Sequence, residues 1–242
     1  MINYVGVDGC KAGWFAVAFS EDGTWEHGVF DSADALLRQY GESDRIYIDI
    51  PIGLVEGRTE ERKCDLEARQ LLGKPRSSSV FPVPSRAAIS ASNYDDAVRV
   101  NRQETGRGLS LPAWGILPKI REVEHLMQQS QPPRDLLIEV HPELLFWALN
   151  GREPMKHHKS HSEGRSERLE ILRHWLPATT DEIYKDALDS YLRKNVARDD
   201  ILDALVAAVT GYRSNGDMSN VPEPPEIDPT GLPMRMGIPN LP

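Results

Sequence analysis

Over the first fifty positions the apolar residues fall into short runs separated by glycine and aspartate, the pattern of strands joined by tight turns. Residues 3–8 and 14–20 form two such runs, with Gly9-Cys10-Lys11-Ala12-Gly13 as the hairpin connection between them. Asp22-Gly23 precedes a third run, Trp25–Phe30, and is a second hairpin signal. Ser32 is placed to cap a helix through Tyr40, with Gly41 just past its end. Residues 45–52 are almost continuously apolar, as expected of a strand covered on both faces of its sheet.

From residue 53 to residue 90 this rhythm breaks into a charged helical patch at 62–72 and the loop Ser77-Ser78-Ser79-Val80-Phe81-Pro82. Ser92-Asn93-Tyr94-Asp95 has the form of a capping box and starts a helix to about Gln103. Ile116, Ile120, Val123 and Met127 keep helical spacing after Pro118. A third strong strand spans 135–140 and carries Glu139, and a short helix at 143–149 stops near Gly151. Residues 152–163 form a polar His/Lys-rich surface loop, followed by helices at about 163–175, 181–194 and 199–213. Seven prolines after Asn215 suit an extended tail lying on the body. This order predicts an α/β domain over residues 1–214, with one sheet, helices on both faces and an insertion at about 53–130; residues 215–242 form the Pro-rich C-terminal tail.

Composition narrows the class. Charged residues at 27% and hydrophobic ones at 40% are ordinary for a globular domain. No apolar run reaches the ~18 residues of a membrane span, and no cleavable leader opens the chain, so a cytoplasmic protein is expected. Cys10 and Cys64 lack the paired spacing of a disulfide framework or a zinc site. Asp and Glu outnumber Lys and Arg by 37 to 28, giving a net charge of −9. That balance opposes a long nucleic-acid partner, which selects for a basic footprint.

The informative acids lie far apart in the chain. Asp8 ends the first strand, Asp49 sits among isoleucines, and Asp200 and Asp203 share one face of the last helix. A carboxylate within an apolar strand is costly to bury unless paired or bound to a metal. Each has an ordinary alternative. Asp8-Gly9 is a turn pair, Asp49 can be hydrogen-bonded at a strand end before Pro51, and Asp199, Asp200 and Asp203 can serve the positive end of a helix, with Asp199 as its cap. Glu139 shares the oddity of Asp49, Glu143 fits first-turn chemistry, and His141 is suited to orienting a water or substrate group or to a plain hydrogen bond. Arg62, Arg69, Lys74 and Arg76 flank the Ser77–Ser79 loop, so Arg62, Arg69, Ser78 and Ser79 are candidates for phosphate contact, beside the alternative of a salt-bridged solvated helix. Lys11 in the first turn is a further candidate contact. The 156–161 run reads as a loop without a rigid metal site, and Cys10 lacks an activating histidine placed by the sequence.

Several strings together resemble a bacterial and archaeal family of unknown function, domain of unknown function 429, whose members are described as predicted ribonuclease H-like nucleases. They are Val7-Asp8-Gly9-Cys10-Lys11 with Gly13-Trp14; Asp49-Ile50-Pro51-Ile52-Gly53-Leu54; Arg62, Cys64-Asp65 and Ala68-Arg69; Ser78-Ser79-Val80-Phe81-Pro82; Glu139-Val140-His141-Pro142-Glu143 with Phe146; Asp199-Asp200-Ile201-Leu202-Asp203-Ala204; and Asp228 with Gly231-Leu232. The resemblance implies a ribonuclease H-like mixed sheet, three antiparallel strands followed by parallel ones, with helices on both faces and a helical insertion. It also implies acids from a first strand, a middle strand and a final helix that hold cations, as in junction-resolving nucleases. Asp8, Asp49, Asp200 and Asp203 are then metal ligands and catalytic residues, with Glu139 a possible fifth.

Such a site would hold two Mg²⁺ or Mn²⁺ ions, since oxygen-only ligands select hard cations, and would hydrolyse phosphodiesters of DNA or RNA. One alternative is a phosphohydrolase or phosphotransferase acting on a nucleotide or other small phosphorylated substrate, which suits the acidic charge. Another is a non-catalytic binding protein of the same fold. A homodimer is possible in each case.

Overall fold

In the computed structural model, which describes residues 2–129 and 135–241, β1 (Ile2–Cys10) returns as β2 (Gly13–Ser20) through Lys11 and Ala12 alone. The hairpin is tighter than the five-residue connection expected, because Gly9 still pairs with Trp14 and Cys10 with Gly13. β3 (Trp25–Phe30) pairs antiparallel with β2. α1 (Ala33–Tyr40) follows, its Ala35 N–H donating to the Ser32 hydroxyl as the cap predicted. β4 (Arg45–Ile48) and β5 (Leu137–Glu139) then extend the sheet in parallel, giving the order β3-β2-β1-β4-β5. The chain is thus mixed α/β, a five-stranded mixed sheet flanked by helices among the described residues.

β4 is shorter than the apolar run that announced it. Asp49 N–H still donates to the Val7 carbonyl at 3.0 Å, but the chain then leaves the sheet, so Ile50 and Ile52 bury outside it. The elements between β4 and β5 are α2 (Lys63–Arg76), a 3₁₀ turn at Ser77–Ser79, α3 (Arg86–Ile89), α4 (Tyr94–Thr105) and α5 (Leu111–Gln129). α4 is capped by Asn93, whose side chain accepts the Asp96 N–H, and not by Ser92. α5 starts before Pro118 and carries it inside. The expected end of the insertion at about 130 lies outside the described residues. After β5 come α6 (Pro142–Leu149), α7 (Ser162–Trp175), α8 (Thr180–Ser190) and α9 (Arg198–Arg213).

The proline-rich tail is more regular than an extended strap. β6 (Met218–Ile227) and β7 (Pro233–Pro239) form an antiparallel pair with a register break between Val221 and Glu226, where Pro222, Pro224 and Pro225 lack the N–H that a ladder needs. Buried Asp228 ties this hairpin down by accepting the Leu54 and Leu232 N–H groups and the Arg86 guanidinium. Pro242 lies outside the described residues. No helix among them is long and apolar enough to cross a membrane.

Strand alternation sorts the core onto two faces. Val5, Val7, Ile46, Ile48 and Leu137 pack with α1 and α5. Tyr4, Phe15, Tyr47 and Ile138 pack with α6 to α9. Gly6 lies on the second face, where α9 presses onto β1: a Cβ there would meet Ala204 O and Ala208 N at 2.2 Å. Two residues along a strand advance about 6.8 Å, and one helical turn advances about 5.4 Å. Asp8, two residues beyond Gly6, therefore comes level with the turn of α9 that carries Asp200 and Asp203.

Gly6→Ala, which has backbone rather than a movable side chain to displace, should destabilise the protein by about 3 kcal/mol, the upper range for over-packing. Chemical denaturation measures it; a midpoint unchanged from the unaltered chain would contradict the close approach.

Candidate functional site

The carboxyl ends of β1, β4 and β5 open into a cavity of about 740 Å³. Open α/β sheets carry ligand sites at this edge. Asp8 and Asp49 line its floor, each partly exposed to it. Asp8 Oδ1 accepts the N–H of Gly9 at 2.7 Å. Asp49 shares the face of Tyr47, two residues earlier, and so the face of α9. From α9, Asp203 is 2% exposed and Asp200 sits half-buried one turn before Ala204. Asp200 Oδ2 accepts the Ala197 N–H at 2.7 Å. Ala197 is the N-cap of this helix, Asp200 closes back onto its N–H, and Asp199 is not the cap.

These four acids feel one another. Removal from bulk water pushes Asp8 well above the ordinary carboxylate range, and the charges of Asp49, Asp203 and Asp200 push it further. Burial, then Asp203, raises Asp49 to about 7, and burial raises Asp200 to about 6. No three of them bring ligand atoms within 4.8 Å of one another among the described residues, so they bracket a space instead of closing on a point. Lys159 enters that space from the loop before α7, its Nζ donating to Asp203 Oδ2 at 2.5 Å. The acids hold its ammonium well above the ordinary lysine value, with Asp203 the largest cause.

Glu139 does not join them. Its pairing partner is Ile48, so it points from the opposite face of the sheet to Asp49. There it accepts two hydrogen bonds from Arg62, at 2.7 and 2.9 Å, and one from the Ile52 N–H at 2.7 Å. Burial pushes Glu139 up to about 7 against the pull of that guanidinium. Arg62 also grips Asp65 at 2.6 and 3.1 Å and the carbonyls of Ile52 and Gly53. Its donors are all committed inside the protein, and it is 1% exposed. Cys64, Asp65 and Glu139 do bring ligand atoms within 4.8 Å of each other. A guanidinium bonded to both carboxylates already occupies that cluster and offsets one of its two negative charges, and burial drives the Cys64 thiol up, away from the thiolate a metal takes.

The other expected contacts divide. Ser78 and Ser79 line the cavity, but the Ser79 hydroxyl donates to the Arg76 carbonyl. Arg69 turns away to Glu61 and the Val80 carbonyl, bracing the loop that carries those serines. His141 faces the cavity with Nε2 3.4 Å from the Ser79 carbonyl and Nδ1 unpartnered, and burial lowers its pKa, keeping it neutral. Lys11 is exposed in the β1–β2 turn and does not line the cavity. Burial raises the Cys10 thiol, the opposite of an activated nucleophile.

Two groups at the cavity carried little sequence signal. Lys159 lies in a loop that reads as surface. Glu143 opens α6 and binds Arg168 through Oε1, while Oε2 is buried without a partner. The donors around the space are therefore hard carboxylate oxygens, with the Glu143 Oε2 unsatisfied, and the two ammonium groups there, Lys159 and Lys119, are outnumbered by four aspartates. That set fits a divalent hard cation and does not fit a soft one.

Two outcomes follow from this geometry. Arg62→Leu leaves Asp65 and Glu139 buried and uncompensated and should cost about 3–5 kcal/mol in denaturation experiments; Mn²⁺ should not restore it, and restoration would make that cluster a metal site after all. Asp49 keeps its proton up to about pH 7 in the folded state and loses it near 3.9 when unfolded. Its stabilising share is complete below about pH 4 and lost as pH rises through about 7. In metal-free buffer, Asp49→Asn should flatten the fall of the thermal midpoint over that window; an unchanged slope contradicts the raised carboxyl.

No curated protein and no solved structure matches the chain. A family model does, described as protein of unknown function (DUF429), over residues 6–227. That stretch takes in Asp8, Asp49, Asp200 and Asp203 alike, and the chain belongs to the DUF429 family.

Proposed function

We propose that this protein is a divalent-metal-dependent phosphodiester hydrolase of ribonuclease H-like architecture, a nuclease in the broad sense. The observation that carries the reading is the meeting of Asp8, Asp49 and Asp203, from β1, the end of β4 and α9, in one mutually repelling cluster whose Asp8 and Asp49 line a cavity. Holding such charges together opposes folding unless a cation offsets them. The strand order, with β1 to β3 antiparallel and β4 and β5 parallel to β1, agrees with the architecture that the family resemblance implies.

In this reading Asp8 and Asp49, with Asp203 and Asp200, would hold two Mg²⁺ or Mn²⁺ ions, and Glu143 would add its buried, unpartnered oxygen. When bound, such ions would supply Lewis acidity and lower the pKa of an attacking water towards neutrality. A water oxygen bonds to phosphorus, the bond from phosphorus to the leaving oxygen breaks, and that oxygen takes up a proton, so the elements of water end on the two products. The chain's residues fix the attack geometry: Asp8 is held by Gly9 N–H, and Asp200 by the start of α9. With Nε2–H turned to the Ser79 carbonyl, neutral His141 leaves its buried Nδ1 as an acceptor able to take up one proton. Lys159 partly neutralises Asp203 and holds the last-helix acid in place.

Asp8→Asn and Asp49→Asn should each abolish Mn²⁺-dependent hydrolysis of bis(p-nitrophenyl) phosphate and remove Mn²⁺ binding in calorimetry. Both should keep or raise the thermal midpoint, because each removes a repelling charge. Turnover that survives either substitution would end the assignment.

A further inference from the structure

The walls of the cavity narrow what can reach its acids. A volume of about 740 Å³ corresponds to a sphere about 11 Å across and lies within the ~300–1,000 Å³ range of small-molecule sites. The floor is the sheet edge with Asp8 and Asp49. Phe81 and Val83 from the insertion, Gly115 and Ile116 on α5, and Met236 on β7 wall it. One groove of duplex DNA is itself about 12 Å wide, so a duplex does not fit inside.

A single strand threading through the site would need a row of cations to follow its phosphates. Arg76, Lys119 and Lys159 line the cavity, and each already bonds within the chain. Arg76 donates to the carbonyls of Met155 and Lys156, Lys119 to that of Gly13, and Lys159 to Asp203. The net charge of −9 adds repulsion for a long polyanion. Phe81 and Ile116, both half-buried, instead offer apolar surface in the same cavity as Asp8 and Asp49.

We propose that the cavity admits substrate as one nucleotide-sized phosphodiester unit, its planar base against Phe81 and Ile116 and its phosphate toward Asp8 and Asp49. The proposal rests on the hydrolase reading above. A free nucleotide ester and the terminal unit of a strand share this chemistry, whereas an internal linkage does not enter.

Gly115 supplies a test that preserves the fold, because a Cβ there meets nothing within 4 Å. Gly115→Phe should fill the cavity while leaving the thermal midpoint unlowered. With Ca²⁺ in place of Mn²⁺, binding of thymidine 5′-(p-nitrophenyl phosphate) should weaken at least tenfold in Gly115→Phe. It should weaken about fivefold or more in Phe81→Ala, the loss expected for one stacked base. With Mn²⁺, the full-length protein should hydrolyse this ester or release mononucleotides from a linear single strand, and leave the same strand intact when closed into a circle. Cleavage of the circle at the linear rate, no binding of the nucleotide ester, or binding unchanged in Gly115→Phe would each overturn the proposal. Absence of all turnover together with binding that Gly115→Phe destroys would remove the hydrolase reading and keep the substrate class.

Discussion

The contact on which the site depends is made where a side chain is missing. At Gly6, the backbone of α9 lies against the backbone of β1, and no larger residue permits that distance. The contact fixes both the height and the rotation of α9 on the sheet. Because strand and helix advance by comparable steps per two and four residues, the same register that seats Ala204 beside Gly6 carries Asp200 and Asp203 to Asp8. The acids meet because an uncharged contact one turn away holds the helix in place, despite their mutual repulsion.

Two buried ion networks sit on opposite sides of one sheet edge. On the α9 face, four aspartates face Lys159, and Lys119 adds a second positive charge near Asp8 and Asp200. On the other, Arg62 satisfies Asp65 and Glu139 with a full set of hydrogen bonds. Both gather carboxylates from distant parts of the chain, yet one is closed by a guanidinium and the other is left open. This contrast separates a fold-holding cluster from a candidate reactive one more clearly than acid spacing does. The ligand atoms that come closest together belong to the closed cluster.

Much of this was legible in the chain. The hairpin strands, the capped α1 and the late helices follow from period-two and period-3.6 patterning, since their apolar faces meet a sheet or helix that rewards alternation. Asp8 stood out at the end of an apolar strand, Asp49 inside one, and Asp200 and Asp203 because they share one face of the last helix. Glu139 stood out, like Asp49, as an acid inside an apolar run, and only the register of β5 against β4 shows that it takes the face opposite to Asp49. The β6–β7 pair was hidden by prolines that lower strand propensity while leaving the edges free to pair around a break. Lys159 carried no pattern at all: a lysine in a polar loop becomes a site residue only through the path of the chain in space.

One feature of the tail bears on how the protein comes into being. Met236, on β7, closes a wall of the cavity whose floor is laid down by Asp8 near the other terminus. Chains emerge from the ribosome amino-terminus first. While β7 is still inside the tunnel, the acids at the sheet edge stand without their final wall, and Asp228 has yet to bring its hairpin to Leu54 and Arg86. An unfinished chain thus presents its carboxylates without the enclosure that selects what approaches them, and enclosure arrives only with the closing hairpin.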